Sequence, residues 1–143
     1  MGTLKGKTAI ITGGGRAVLS DGSCGSIGYG IATAYAKEGA NLVITGRNVK
    51  KLTDAKEELE EKYGIRVLPV QADISAGADN EALAESVAKQ AMDAFGRIDV
   101  LINNAQASAS GVTLADHTTE QFDLAVYSGL YATFHYMKAC YPY

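Results

Sequence analysis

Residues 12–30, "TGGGRAVLSDGSCGSIGYG", begin with a glycine turn that follows a short apolar run and end inside a segment with helical spacing. If residues 17–25 are set aside, the two ends join as "TGGGR" and "SIGYGIA", the pattern of a single turn between a buried strand and a helix. Such a turn directs backbone N–H groups and the positive end of a helix dipole at a phosphate, and its small residues let the backbone come close. The stretch therefore predicts one phosphate-binding turn with an insert at 17–25. The alternative is a plain strand-to-helix turn whose glycines serve conformation alone.

Outward from this turn, two periodicities alternate along the chain. Four apolar runs rich in Val and Ile predict strands buried on both faces: "TAIIT" (8–12), "NLVIT" (41–45), "IRVLPVQA" (65–72) and "DVLIN" (99–103). Between them, three segments with helical spacing end in glycine, at 26–39, 49–64 and 79–96. The order β-α-β-α-β-α-β predicts an α/β fold, a doubly wound parallel sheet with helices on both faces that is incomplete at about four strands.

The composition is that of an ordinary globular protein. The 143 residues suffice for one domain, with 47% apolar and 20% charged residues. The net charge of −3 and the scattered lysines argue against nucleic acid, whose phosphates require a clustered basic face. No apolar run approaches the ~20 residues of a membrane span, and the N-terminus lacks the pattern of a secretion signal. We therefore expect a single domain over 1–143, located in the cytoplasm, with no membrane or nucleic-acid partner.

Neither the cysteines nor the histidines predict a metal or catalytic site. Cys24 and Cys140 are too few and too far apart for a disulfide framework or a metal cluster, and we expect them to be small apolar residues in a reducing compartment. His117 lies at a predicted helix start and His135 within a tyrosine-rich helix. Surface or packing roles are expected for both histidines.

The C-terminal part of the chain predicts a further helix over 118–141. Thr118 and Gln121 have the spacing of a capping box, which marks a helix start. Two apolar stripes follow, the first comprising Phe122, Val126, Leu130 or Gly129, Thr133, Met137 and Cys140, and the second Leu124, Tyr127, Tyr131 and Tyr136. The first stripe is expected to cover the sheet, and the second has no partner left within the chain. We therefore expect a homo-oligomer formed through the helix 118–141, or further sequence that covers this face.

The end of the second strand bears on which dinucleotide the glycine turn would accept. An acidic residue about 20 positions beyond the glycines binds the ribose hydroxyls of NAD, whereas an arginine accommodates the 2′-phosphate of NADP. Here the strand ends "TGRN" with Arg47, and no carboxylate precedes Asp54. Arg47, assisted by Arg16, predicts that NADP(H) is preferred over NAD(H). The alternative for Arg47 is a solvated loop arginine.

Four motifs in register resemble those of the short-chain dehydrogenase/reductases. They are Thr12-Gly13 after the first strand, "GRN" (46–48) after the second, "ADIS" (72–75) after the third and "NNAQ" (103–106) after the fourth. The resemblance spans the whole chain. It implies a Rossmann-type fold, of which this chain would be the N-terminal dinucleotide-binding part, and an NAD(P)(H)-dependent enzyme that interconverts a small carbonyl compound and an alcohol.

The resemblance also implies roles for individual positions. Gly13, Ser26, Ile27 and Gly28 would lie along the pyrophosphate and the nicotinamide ribose. Arg47 would meet the 2′-phosphate, Asp73 and Ile74 the adenine, and Asn103 and Ala105 the adenosine and nicotinamide side. Asp73 has an alternative role as a turn or helix-cap residue, and Asn103 has one as a purely structural hydrogen-bonding residue.

Three features depart from the family pattern. Gln106 stands where "NNAG" has glycine, and Gly129 stands where the family's helix carries an asparagine that supports a proton relay. The family's acid/base is a Tyr followed by Lys four residues later, and no Tyr of this chain has that partner. Hydride transfer to a carbonyl needs a proton donor. We therefore expect no catalytic residue within the chain and no activity of the chain alone.

Two other functions stay open at this stage. The insert before "SIGYGIA" resembles the spacing of a divergent group of enoyl-thioester reductases, although "NNAQ" and "GRN" fit that group less well. A non-catalytic NADP-binding module is the second alternative. The substrate is not predicted, because in this family C-terminal segments that the chain lacks shape most of the pocket.

Overall fold

Short runs of aliphatic residues form four parallel strands in one sheet. The computed structural model describes residues 2–143, in which the strands are β1 (Thr8–Thr12), β2 (Asn41–Gly46), β3 (Val67–Gln71) and β4 (Val100–Ile102). Their order across the sheet is β3-β2-β1-β4. The chain therefore builds outward from β1 in one direction and then crosses to the other side of β1. The strands pair in parallel throughout this order, as the sequence predicts.

Three helices connect the strands: α1 (Ile27–Lys37), α2 (Val49–Tyr63) and α3 (Asn80–Phe95). Helices α2 and α3 end at Gly64 and Gly96, which have φ angles of 67° and 72°. This left-handed conformation favours glycine because a Cβ atom there would clash with the backbone. The glycine ends predicted for these two helices are confirmed.

The helices cover both faces of the sheet. On one face, α1 and α2 pack against Ile11, Leu42 and Ile44. On the other face, α3 packs against Ile10 and Val43. Since both faces are covered, every residue of β1 is buried, which explains why the strand sequences lack alternation of apolar and polar residues. The predicted doubly wound α/β architecture is confirmed.

The chain after β4 ends in a long helix with an irregular centre. Helix α4 (Thr119–Ala125) is followed by a π-helical segment (Val126–Tyr131) and by α5 (Ala132–Cys140). At its start, the Thr118 hydroxyl accepts a hydrogen bond from Gln121 N–H, and the Gln121 side-chain oxygen accepts one from Thr118 N–H. The predicted capping box is confirmed.

The face that this helix buries differs from the prediction. Ser128, Ala132 and Tyr136 are almost fully buried, and Tyr136 belongs to the apolar cluster on the α3 side of the sheet. Three members of the stripe that was expected to cover the sheet are instead exposed: Phe122 (61%), Leu130 (69%) and Met137 (52%). The predicted burial is wrong for these three residues, whereas Cys140 of the same stripe does pack against the cluster on the α3 side of the sheet. The buried residues Ser128, Ala132 and Tyr136 recur every four positions, and Ala132 and Tyr136 each precede a member of the predicted stripe by one residue.

Candidate functional site

A cleft of about 390 Å³ opens at the carboxyl ends of the strands. It lies where the chain order reverses, because β2 and β4 flank β1 and their connections leave β1 in opposite directions. In open α/β sheets, this position is where ligands bind. The cleft is lined by Gly13, Ser26, Ile27, Gly28, Thr45, Gly46, Arg47, Ala72, Asp73, Ile74, Asn104, Ala105, Gln106 and Ala107.

A buried threonine at the end of β1 joins this strand to the segment that follows the edge strand β4, beneath the cleft. The Thr12 hydroxyl accepts hydrogen bonds from the N–H groups of Asn104 and Ala105, both at 3.0 Å. The Asn104 side-chain amide donates in return to the Thr12 carbonyl at 2.9 Å. These three bonds hold the segment after β4 against the glycine turn after β1. The relative position of the two walls of the cleft is therefore fixed by hydrogen bonds.

The glycine turn brings strand and helix into direct contact. Gly13 has a φ angle of 74°, a conformation that favours glycine. At Gly28, a Cβ atom would lie 2.1 Å from the Gly13 carbonyl oxygen, so no larger residue fits there without moving the backbone. Ser26 caps α1 by accepting from Tyr29 N–H at 3.3 Å. The N–H groups of Ile27 and Gly28, in the same turn of α1, have no partner within the helix and lie at the cleft, where they are available to an anion.

The insert 17–25 folds back on itself beside this turn. Val18 and Cys24 form an antiparallel bridge, and Gly25 N–H donates to the Ala17 carbonyl at 2.7 Å. The ends of the insert are thereby joined. Gly13 and Gly28 face the same cleft in spite of the interruption, so the two glycine patches form one turn.

At the far end of the cleft, Arg47 follows β2 and Asp73 follows β3. The Arg47 side chain forms no ion pair with any residue of the described range 2–143. A hollow of about 250 Å³ shares Gly13 and Arg47 with the cleft and extends to Asn48 and Lys51. Two basic side chains and the N-terminal end of α2, which Asn48 caps, therefore meet at one place. This combination favours an anion.

The Asp73 carboxylate is ionised and held by its own turn. Ser75 donates to it from its hydroxyl at 2.6 Å and from its backbone N–H at 2.9 Å. These two bonds lower the pKa of Asp73, and the positive charge of Arg47 adds to the effect. The hydrogen bonds of Asp73 are thus those of the turn residue that we named as the alternative to a ligand-binding role. Asp73 also lies on the cleft wall, within reach of a ligand.

Eight of the ten residues singled out from the sequence line this one cleft: Gly13, Ser26, Ile27, Gly28, Arg47, Asp73, Ile74 and Ala105. Arg16 and Asn103 do not line it. Asn103 follows β4, and its side-chain oxygen is buried without a hydrogen-bond partner among the described residues. Arg16 faces a separate hollow beside the insert.

The Arg16 guanidinium is held by Glu58 of α2. Its Nε donates to Glu58 Oε2, and Lys62 donates to the other carboxylate oxygen at 2.6 Å. Hydrogen bonds from Arg16 and then Lys62 lower the pKa of Glu58 to about 2. The ion pair therefore persists at neutral pH. Arg16 is therefore paired with a carboxylate outside the cleft, and the structure does not bring it together with Arg47, which it was expected to assist.

Sequence reasoning missed three residues that shape the site. Asn104 is hidden in a pair of adjacent asparagines, of which the resemblance singled out only the first. Lys51 lies one helical turn beyond Arg47, and its position in a helix N-terminus was the signal that could have identified it. Ala107 looks like an ordinary loop residue, and only its contact with the distant helix marks it.

Comparison with known proteins agrees with this geometry. The family model described as short chain dehydrogenase matches residues 7–143. The chain belongs to the short-chain dehydrogenases. A curated relative, the 12alpha-hydroxysteroid dehydrogenase of Clostridium sp. (strain ATCC 29733 / VPI C48-50), is 60% identical over 143 residues, which is 100% of this chain and 52% of the relative.

Solved short-chain dehydrogenase structures have the same fold. L-sorbose reductase from Gluconobacter frateurii, complexed with NADPH and L-sorbose, matches with a TM-score of 0.81 at 29% identity, over 97% of this chain and 48% of that one. A short chain dehydrogenase from Mycobacterium smegmatis matches with a TM-score of 0.84 at 26% identity, over 100% and 54% of the two chains. The chain thus spans about half the length of the relatives it matches.

The residues of the cleft fit the nicotinamide dinucleotide expected of a short-chain dehydrogenase. Gly28 leaves the backbone of the turn bare, and Ile27 exposes 77% of its surface at the edge of the cleft. A bare turn at a helix N-terminus fits a pyrophosphate, and an exposed aliphatic side chain beside it fits the less polar part of such a ligand. Among residues 2–143, no helix is both long and apolar enough to cross a membrane.

Proposed function

We propose that this chain is the cofactor-binding part of an NADP(H)-dependent short-chain dehydrogenase that interconverts a ketone and an alcohol. The observation that carries the proposal is the continuity of the cleft. It runs from the bare turn formed by Gly13 and Gly28 to the basic hollow at Arg47 and Lys51. This arrangement pairs a pyrophosphate site with a second anion site one strand away.

The second anion site supports a preference for NADP(H) over NAD(H). A 2′-phosphate at the hollow would meet the guanidinium of Arg47, the ammonium of Lys51 and the N-terminal end of α2. Asp54, the carboxylate that lies nearest to Arg47 and Lys51 along the chain, is paired with Lys50 at 2.7 Å and does not compete for them. The sorbose reductase with the same fold binds NADPH, which is consistent with this assignment.

The remaining cleft residues have roles in holding and orienting the cofactor. Gly13, Ser26, Ile27 and Gly28 would bind the pyrophosphate and the adjoining ribose. Asp73 and Ile74 would lie beside the adenine, and Ala105 would lie beside the nicotinamide half. Once bound, the cofactor supplies or accepts a hydride. The role of this chain is to fix its position and to exclude water from one of its faces.

The similarity to one relative supports a substrate class. An identity of 60% extends through all 143 residues to a 12alpha-hydroxysteroid dehydrogenase. We therefore propose that the protein acts on a hydroxysteroid and the corresponding ketosteroid. No Tyr of the chain is followed by Lys four residues later, so the acid/base and most of the substrate pocket would lie outside these residues. A cytoplasmic location remains a prediction.

The test of this function is an assay of the protein encoded by the complete reading frame that contains these residues. We expect NADPH oxidation with a 12-ketosteroid, and a Tyr-x-x-x-Lys motif in frame beyond Tyr143. An enoyl thioester serves as the comparison substrate. Turnover of the enoyl thioester alone would favour the reductase alternative, and tight NADPH binding without turnover of either substrate would favour a non-catalytic module.

Replacing Arg47 by alanine should weaken NADPH binding and leave NADH binding within about twofold. Hydrogen bonds to charged groups contribute about 1.5 to 3 kcal/mol, so we expect the dissociation constant for NADPH to rise by roughly 10- to 100-fold. The measurement is titration of cofactor fluorescence with the protein. Arg66→Ala is the matched control, because Arg66 precedes β3 and therefore lies at the end of the sheet away from the cleft. Equal losses for both cofactors would contradict the proposed role.

We further propose that the protein is a homo-oligomer through the helix 118–141. The π-segment and its flanking turns expose aromatic and aliphatic side chains, with Tyr127 and Tyr131 exposed by 40% and 47% and their ring centroids 5.2 Å apart. Apolar patches of this kind mark interaction surfaces. We expect a concentration-dependent increase of mass in sedimentation, and Leu130→Glu should shift the protein toward monomer. A monodisperse monomer would contradict the proposal.

A further inference from the structure

The wall of the cleft at Ala107 is held by a serine of the last helix. The Ser128 hydroxyl accepts a hydrogen bond from Ala107 N–H at 2.9 Å. Its own hydrogen is directed at two carbonyl oxygens, those of Leu124 at 2.7 Å and Ala107 at 2.9 Å. Ser128 is completely buried. A fully desolvated side chain thus ties the cleft wall to the helix.

Ser128 reaches Ala107 from the centre of the π-segment. A π-turn inserts an extra residue into the helix and displaces carbonyl groups from their usual partners. Here side chains bond to two of those carbonyls: the buried Asn80 amide donates to Tyr127 at 3.2 Å, and the Thr133 hydroxyl donates to Gly129 at 2.6 Å. The irregular turn is therefore supported by α3, through Asn80, and by a side chain of its own helix.

The side chain of Gln106, in the cleft wall, lies opposite Gly129 of the π-segment. A Cβ atom on Gly129 would come within 3.3 Å of Gln106 Cγ, closer than an ordinary van der Waals contact. The Gln106 side-chain amide donates to the Ala107 carbonyl at 3.1 Å. The stem of Gln106 thus lies against the open side of Gly129, and the amide of Gln106 donates to the same Ala107 carbonyl as Ser128.

We propose that Gln106 and Gly129 are a size-matched pair of positioning residues that, with Ser128, fixes the cleft wall at 105–107. Gln106 stands where the family pattern "NNAG" has glycine, and Gly129 stands where it has the helix asparagine. The contact between the two residues accounts for both departures. A residue larger than glycine at 129 displaces Gln106, which releases its bond to Ala107 and moves the wall. The proposal rests on the proposed function only in assuming that this wall faces a dinucleotide.

A double-mutant cycle tests the pair, using Gly129→Asn, Gln106→Gly and the double variant. We expect Gly129→Asn alone to raise the dissociation constant for NADPH by about tenfold or more and to lower the melting temperature, since residues in contact couple strongly. Adding Gln106→Gly should return both quantities to within about threefold and a few degrees of the unmutated protein. Gly111→Asn is the matched control, because Gly111 has no neighbour within 4 Å and a φ of 76° that asparagine tolerates.

The cycle separates this inference from the proposed function. If the unmutated protein does not bind NADPH, the proposed function fails, while the coupling between the two positions is still measured in the melting temperature. If Gly129→Asn does not fold, the double variant is expected to fold and to bind. Additive effects of the two changes, normal behaviour of Gly129→Asn, or failure of the double variant to recover would each overturn the pairing.

Discussion

Replacing Gly28 by alanine is expected to lower NADPH affinity by more than tenfold and the free energy of unfolding by about 3 kcal/mol, the upper range for overpacking a close contact. The added Cβ atom would lie 2.1 Å from the Gly13 carbonyl oxygen, and this oxygen belongs to the backbone and cannot rotate away. The glycine turn and the start of α1 must therefore separate. Urea denaturation and cofactor titration measure the two effects.

Gly30→Ala provides the matched control, because Gly30 lies in the same helix. Its added Cβ atom would find only Cys24 Cβ, at an ordinary distance of 3.8 Å. Alanine favours a helix over glycine by about 0.8 to 1 kcal/mol, so this variant should be slightly stabilised and bind NADPH normally. Similar behaviour of the two variants would show that the strand-helix contact does not control the site.

Replacing Thr12 by valine should lower the free energy of unfolding by about 2 to 4 kcal/mol, since each buried donor left without a partner costs about 1 to 3 kcal/mol. The substitution preserves shape but removes the acceptor for the N–H groups of Asn104 and Ala105. Weaker NADPH binding should accompany the loss, because these bonds fix both walls of the cleft. Chemical denaturation with the cofactor present and absent measures both effects.

Thr8→Val is the matched control on the same strand. Thr8 is as buried as Thr12, but its hydroxyl has no hydrogen-bond partner among the described residues. Removing this hydroxyl should leave stability unchanged or raise it, because no bond is lost. If both valine variants unfold at the same urea concentration, the hydrogen bonds of Thr12 do not hold the two strands as described.

Much of the fold could be predicted from the sequence because strands buried on both faces carry a strong local signal. The runs at 8–12 and 41–45 are continuous apolar segments, and the helices between them end at glycines such as Gly64. Parallel order then follows from the handedness and length of the connections. The same logic placed Gly13 and Arg47 at one edge of the sheet, where the structure has them.

What could not be predicted depends on contacts between residues far apart in the sequence. Arg16 directly follows the glycines, and no residue near it in the sequence indicates that Glu58, 42 residues away, is its partner. The burial of Tyr136 instead of Met137 depends on the π-segment, which rotates the helix beyond it. Periodicity assumes a regular helix, so one irregular turn is enough to assign the wrong face.

The insert at 17–25 is a closed loop whose two ends lie together, since the backbone N–H of Gly25 is hydrogen-bonded to the carbonyl of Ala17. The length of such a loop has little effect on the free energy of folding, because doubling it costs only about 0.6 kcal/mol in closure entropy. The length of the insert is therefore expected to have little effect on the stability of the glycine turn. For the same reason, the exposed tip at Asp21 and Gly22 is a suitable place to graft a reporter or an affinity peptide.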